Sequence, residues 1–100
     1  MEVKELQKLA AEIVNKIDIK FKIKRDAQLN FSQLVEELGE LAKVVNLEKL
    51  RNKKPKKKDL EDEFADVVLQ LAKLADLFNV DLEKAILDKI KILKERHNLQ

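Results

Sequence analysis

The stretch LEDEFADVVLQLAKLADLF, residues 60–78, decides the fold. Leu60, Phe64, Val67, Val68, Leu71, Leu74, Ala75 and Phe78 recur at three- and four-residue spacing and line one side of a helix. Ala65, Leu69, Ala72 and Leu77 occupy its other sides, so this helix is apolar nearly all round and demands burial nearly all round. A chain of 100 residues has little with which to cover it. A second copy of the same chain would cover it.

Working outward, three more helical segments follow from the same period. The first spans roughly 2–18, with Val3, Leu6, Leu9, Ala10, Ile13 and Ile17 as its inward stripe. Residues 19–24 alternate strictly between apolar and lysine, a strand pattern with nothing to pair to, and are read as an extended connector or a continuation of the helix. The second helix is expected to begin near Asn30 or Ser32, either an acceptable N-cap, and to run to about 52, with Leu34, Val35, Leu38, Leu41, Ala42 and Val45 inward. Pro55 breaks the chain, and the helix built on 60–78 runs from about Asp59 to Asn79. Asp81 caps a last helix over about 82–97, with Leu82, Ala85, Ile86, Ile90 and Leu93 inward. The expectation is an all-α bundle of about four helices, one domain over residues 1–100.

Composition excludes much. A single Gly and a single Pro leave no glycine-rich phosphate loop, so a Rossmann fingerprint and a P-loop are out. The absence of Cys removes disulfides, thiolate nucleophiles and cysteine zinc sites, and one His removes histidine-rich metal centres. No apolar run approaches the ~20 residues of a membrane span, and Met1-Glu2-Val3-Lys4 does not open a signal peptide, so the expected location is the cytoplasm, with no membrane partner. The net charge of +2 hides an uneven distribution: residues 51–58 carry six of the 21 cations and no acid, leaving 15 cations against 19 acids elsewhere. The body is acidic and the loop cationic. No aromatic interleaves those lysines, so base stacking is unsupported and nucleic acid is not an expected partner. A solvated linker, or a loop that steers polyphosphate, is the expected role.

The chemistry lies in carboxylates. Glu37 and Glu40 stand one turn apart, about 60° round the helix from each other, and Glu63 and Asp66 repeat that geometry. Both pairs flank an apolar stripe, so antiparallel packing of their helices gathers four carboxylates in one groove. Crowded anions need cations, and hard oxygen donors without His or Cys select Mg²⁺, or Mn²⁺. Glu36 is placed to orient a water beside them. A di-iron carboxylate site would need Glu-x-x-His pairs, and the only His, His97, lies far outside. Gly39, mid-helix between the acids, costs ~1 kcal/mol against Ala.

Glu36-Glu37-x-x-Glu40 followed, 22 residues on, by Glu63-x-x-Asp66 resembles the signature of the MazG-like nucleotide pyrophosphohydrolases. The flanking LVEELGEL (34–41), EFADVV (63–68) and VDLEKA (80–85) match as well, and the likeness runs over roughly 25–96. The resemblance implies a MazG-like helical bundle assembled as a dimer or a dimer of dimers. It implies Mg²⁺-dependent cleavage of a nucleoside triphosphate between the α and β phosphates, with Glu37, Glu40, Glu63 and Asp66 on the metal and Glu36 assisting the attacking water. Lys89 and Arg96 match a Lys and an Arg that contact phosphate. The chain departs from the pattern at Leu93, often Asn in the family, and at Ala27, where an aromatic often follows Arg-Asp. Base stacking would then fall to Phe21 or Phe31, although both are also expected in the core. The alternatives are a phosphoribosyl-ATP pyrophosphohydrolase, which Gly39 disfavours, and a non-enzymatic dimeric module that binds nucleic acid or protein through 51–58.

Overall fold

A computed structural model describes residues 1–100 and contains five helices and no strand: α1 (Val3–Phe21), α2 (Ala27–Val45), α3 (Leu47–Arg51), α4 (Lys57–Leu77) and α5 (Leu82–Arg96). The all-α class is as expected; the count of helices is one higher. Instead of running to 52, the second predicted helix breaks at Asn46, whose backbone N–H and side-chain amide both donate to the Ala42 carbonyl, at 3.0 and 2.9 Å. Chain growth then resumes as the short α3. The alternating segment 19–24 splits: Ile19 to Phe21 continue α1, and Lys22 ends it in the left-handed region.

The true cap of α2 is Asp26, which accepts from the Leu29 amide at 2.8 Å, so Asn30 and Ser32 lie inside the helix rather than at its mouth. Asp81 caps α5 as expected, accepting from Lys84 N at 3.1 Å. With its one glycine in mid-helix, the chain turns out of its helices on Lys22, Asn52, Asn79 and Asn98, all at positive φ. Three of these four are Asn, the side chain that best tolerates that conformation after Gly.

Helix α4 is the centre of the molecule. α2 packs along one side of it and α1 along another, while α5 docks on α1. Both helices of the α1–α4 pair bury small residues, Ala10 and Ala11 on α1 and Ala72 and Ala75 on α4. Gln7, also buried, ties the α4–α5 turn to α1: its amide donates to Val80 O at 2.7 Å and its carbonyl accepts from Leu82 N at 2.9 Å.

The stripes expected to point inward mostly do not. Leu6, Leu9, Ile13 and Ile17 on α1, Val35 and Leu38 on α2, Phe64, Val68, Leu71 and Phe78 on α4, and Ile86, Ile90 and Leu93 on α5 are exposed in the single chain. The face of α1 that is buried lies beside the predicted stripe, on Gln7, Ala10, Ala11, Val14 and Asp18. Phe21 and Phe31, expected in the core, are exposed too. No helix is long and apolar enough to cross a membrane.

Candidate active site

Helices α2 and α4 run antiparallel, and their contact brings carboxylates from each to one place. Glu37 on α2 and Glu63 and Asp66 on α4 each offer an oxygen within 4.8 Å of the others. The one-turn spacing of Glu63 and Asp66 lets both reach the seam, and Glu37 meets them from across it. Glu37 and Glu63 are half-buried, whereas Asp66 is exposed.

Burial and crowding act on these groups in the same direction. Loss of water, then the charges of Asp66, Glu63, Glu40 and Glu36, hold the Glu37 carboxyl above the ordinary carboxylate range. Glu63 is likewise raised, by desolvation first and then by Asp66, Glu40, Asp62 and Asp59. One oxygen of Glu63, Oε2, is buried with no hydrogen-bond partner at all. A buried anion oxygen lacking a donor, beside two more carboxylates, is short of positive charge.

That donor set fits a divalent cation. Three carboxylates on rigid helices, with no His or Cys near, suit Mg²⁺ or Mn²⁺, which keep several waters and take a few carboxylate oxygens. Glu63 Oε2 is the oxygen for which a bound cation would supply the missing partner.

The remaining expected residues lie differently. Glu40 is exposed and near enough to raise both glutamates, but its carboxylate is engaged by Lys43 at 3.3 Å and stands outside the three-residue group. Glu36 is exposed and contributes charge at Glu37. Lys89 and Arg96 are exposed on α5, whose packing partner in the chain is α1. His97 is the exposed C-cap of that helix. A Cβ added at Gly39 would meet nothing within 4 Å, so no close backbone approach inside the chain explains that glycine.

One group of polar residues escaped the sequence reading. Asp18, Arg25, Asn30 and Gln33 form a hydrogen-bonded network beside the α2–α4 seam. The available signal was a set of polar residues at inward-facing helical positions, which a search for apolar stripes passes over.

Comparison with known protein families matches the MazG nucleotide pyrophosphohydrolase domain over residues 25–99. No curated protein and no solved structure matches the chain. The matched span contains α2 to α5, and with them Glu36, Glu37, Glu40, Glu63, Asp66, Lys89 and Arg96.

Proposed function

Because the chain belongs to the MazG nucleotide pyrophosphohydrolase family, we propose that it is a Mg²⁺-dependent enzyme that hydrolyses nucleoside or deoxynucleoside triphosphates to the monophosphate and pyrophosphate. The observation that carries this reading is the convergence of Glu37, Glu63 and Asp66 within 4.8 Å across two helices, one of their oxygens buried and unpartnered.

Those three residues, with Glu40 once it leaves Lys43, would hold the metal. A bound Mg²⁺ neutralises charge on the polyphosphate and lowers the pKa of a coordinated water. Glu36 takes a proton from the attacking water, whose oxygen bonds to the α phosphorus as the bridging oxygen departs with pyrophosphate. Lys89 and Arg96 bind phosphate oxygens as cationic donors. Since α5 packs on α1 rather than on the α2–α4 seam, we assign them to the site of a neighbouring copy in a dimer or tetramer. Residues 1–100 act as one domain, in the cytoplasm.

The test is the product. Mixed triphosphates incubated with Mg²⁺ should release pyrophosphate and monophosphate, followed by phosphorus NMR, and chelation of the metal should stop the reaction. Release of orthophosphate and diphosphate, or a rate indifferent to Mg²⁺, would overturn the assignment.

A further inference from the structure

The only large side chain of this protein that is fully buried is polar. Asn30 has 0 % of its surface exposed. Its Oδ1 accepts from Arg25 Nη1 at 3.0 Å, and its Nδ2 donates to the backbone carbonyl of Gln70 at 2.9 Å. Arg25 is itself buried, its side chain 7 % exposed. It grips Asp18 with two bonds, Nε to Oδ2 at 2.7 Å and Nη2 to Oδ1 at 3.1 Å, and also donates to Gln33 Oε1. One guanidinium thus joins the end of α1 to two turns of α2, and Asn30 carries the linkage to one carbonyl of α4.

We propose that this Arg25–Asn30 clasp is a positioning device for the acid site, setting the axial register of α2 against α4 so that Glu37 meets Glu63 and Asp66. The placement supports it. Asn30 faces Gln70 across the seam; Glu37, seven residues further along α2, faces Glu63, seven residues back along α4. Seven residues are close to two full turns, so clasp and acids share a side of each helix, about 10 Å apart along the axis.

No other side-chain hydrogen bond and no ion pair joins α2 to α4. The acids repel one another, which drives the two helices apart or along. Apolar ridges of Leu and Val repeat every turn and accept a one-turn slip with similar burial. A hydrogen bond to one particular carbonyl does not survive a slip, and losing it strands a buried amide without a partner. Asn30 and Arg25 are therefore positioning residues, distant from the reacting atoms and acting through the carboxylates.

The experiment compares Asn30→Asp and Arg25→Lys with Val14→Ala. Asn30→Asp keeps volume and the acceptor for Arg25 but removes the donor to Gln70. Arg25→Lys keeps charge but loses the planar fork. Val14 is buried on α1 one turn from Asp18 but makes none of the clasp's hydrogen bonds, so its truncation costs stability while leaving every bond that sets the register. The chain has no Cys, so Ser32→Cys and Lys57→Cys accept a spin-label pair across α2 and α4, diluted with unlabelled protein. Both clasp variants should stay helical and broaden the label distance, and both should weaken Mn²⁺ binding, read by electron paramagnetic resonance, by about tenfold. Their kcat should fall more than KM rises. Val14→Ala should melt lower yet keep the distance and the Mn²⁺ affinity. The Mn²⁺ arm rests on the metal reading above; the distance arm does not. Broadened distances in a protein that binds no Mn²⁺ would uphold the clasp and overturn the metal. Unchanged distances and affinity in the clasp variants, or equal changes in Val14→Ala, would overturn the clasp.

Discussion

At the scale of single residues, the acid site is a local debt in stability. Glu37 and Glu63 both hold protons more tightly in the fold than an ordinary carboxyl at 4.5, through burial and through Asp66. Between that value and the raised one the native chain binds more protons than the unfolded chain, so stability falls as pH rises through the interval. Metal-free protein should accordingly gain stability as the pH is lowered from 7 toward the ordinary carboxyl value, in a thermal melt series. Glu63→Gln, measured at pH 7 without metal, should melt higher than wild type. Magnesium should reverse that order. At a hundredfold excess over its dissociation constant it stabilises the site that binds it by ~2.7 kcal/mol, and the Glu37→Gln, Glu63→Gln double variant should show no such rise. Equal rises in both proteins would place the cation elsewhere. Gly39 makes the opposite kind of test. Open space surrounds it, so Gly39→Ala should add roughly 0.5–1 kcal/mol through helix propensity alone. A loss of stability would mean that something outside the single chain packs there.

At the scale of elements, the cationic segment divides between two helices and the turn that joins them. Arg51 ends α3, Asn52 turns at positive φ, and Lys57 and Lys58 begin α4. Lys58 pairs with Asp62 at 3.0 Å, whereas Arg51, Lys53, Lys54, Lys56 and Lys57 form no ion pair. Replacing Lys53, Lys54, Lys56 and Lys57 with Ser should leave kcat near wild type, lower kcat/KM at low salt and flatten its salt dependence, because exposed cations act mainly on encounter. A collapse of kcat would put the loop in the chemistry. How far such elements can be read from sequence depends on which force ends them. The type of every long helix was legible because period and composition agree, and Asp81 was legible because a capping carboxylate sits just ahead of an apolar period. The break at Asn46 was not, since neither Pro nor Gly marks it and Leu47 and Leu50 carry apolar positions on past it. Glu37, Glu63 and Asp66 could be found because spacing on a helix fixes direction. The clasp could not, because its bonds join Asp18, Arg25, Asn30 and Gln70 across three helices, and no periodic pattern marks them.

At the scale of the whole molecule, one chain leaves too much apolar surface in water. A compact monomer of 11.6 kDa exposes about 5,800 Å² by the usual scaling, and this one exposes 8231 Å², an excess of roughly 2,400 Å². Its radius of gyration is 16.3 Å against about 13 Å for a compact domain of its length. Many large apolar side chains are among what is exposed. Phe31, Val35 and Leu38 on α2 lie exposed with Phe64, Leu71 and Phe78 on α4, and Leu6, Leu9, Ile13 and Ile17 on α1 lie exposed with Ile86, Ile90 and Leu93 on α5. Patches beyond a few hundred Å² are rare on proteins that work alone, and an excess of this size per chain falls in the range that obligate interfaces bury. The proposed assembly would account for the all-round apolar character of 60–78 by covering it with neighbouring copies. Under the proposed assembly, the exposed residues of the α2–α4 pair and those of the α1–α5 pair would serve two interfaces, as a dimer of dimers requires. Phe64, 55 % exposed, lies in the first group and Leu9 in the second. Light scattering at micromolar concentration should give at least a dimer for wild type, with Phe64→Lys and Leu9→Lys each lowering the mass by one step of assembly. Both variants should keep their helices, since neither side chain is buried within the chain. Because Lys89 and Arg96 are assigned to a neighbouring copy, the variant that separates those copies should also lose affinity for triphosphate while keeping Mg²⁺ stabilisation. A wild-type monomer with full activity would remove both the oligomer and that assignment.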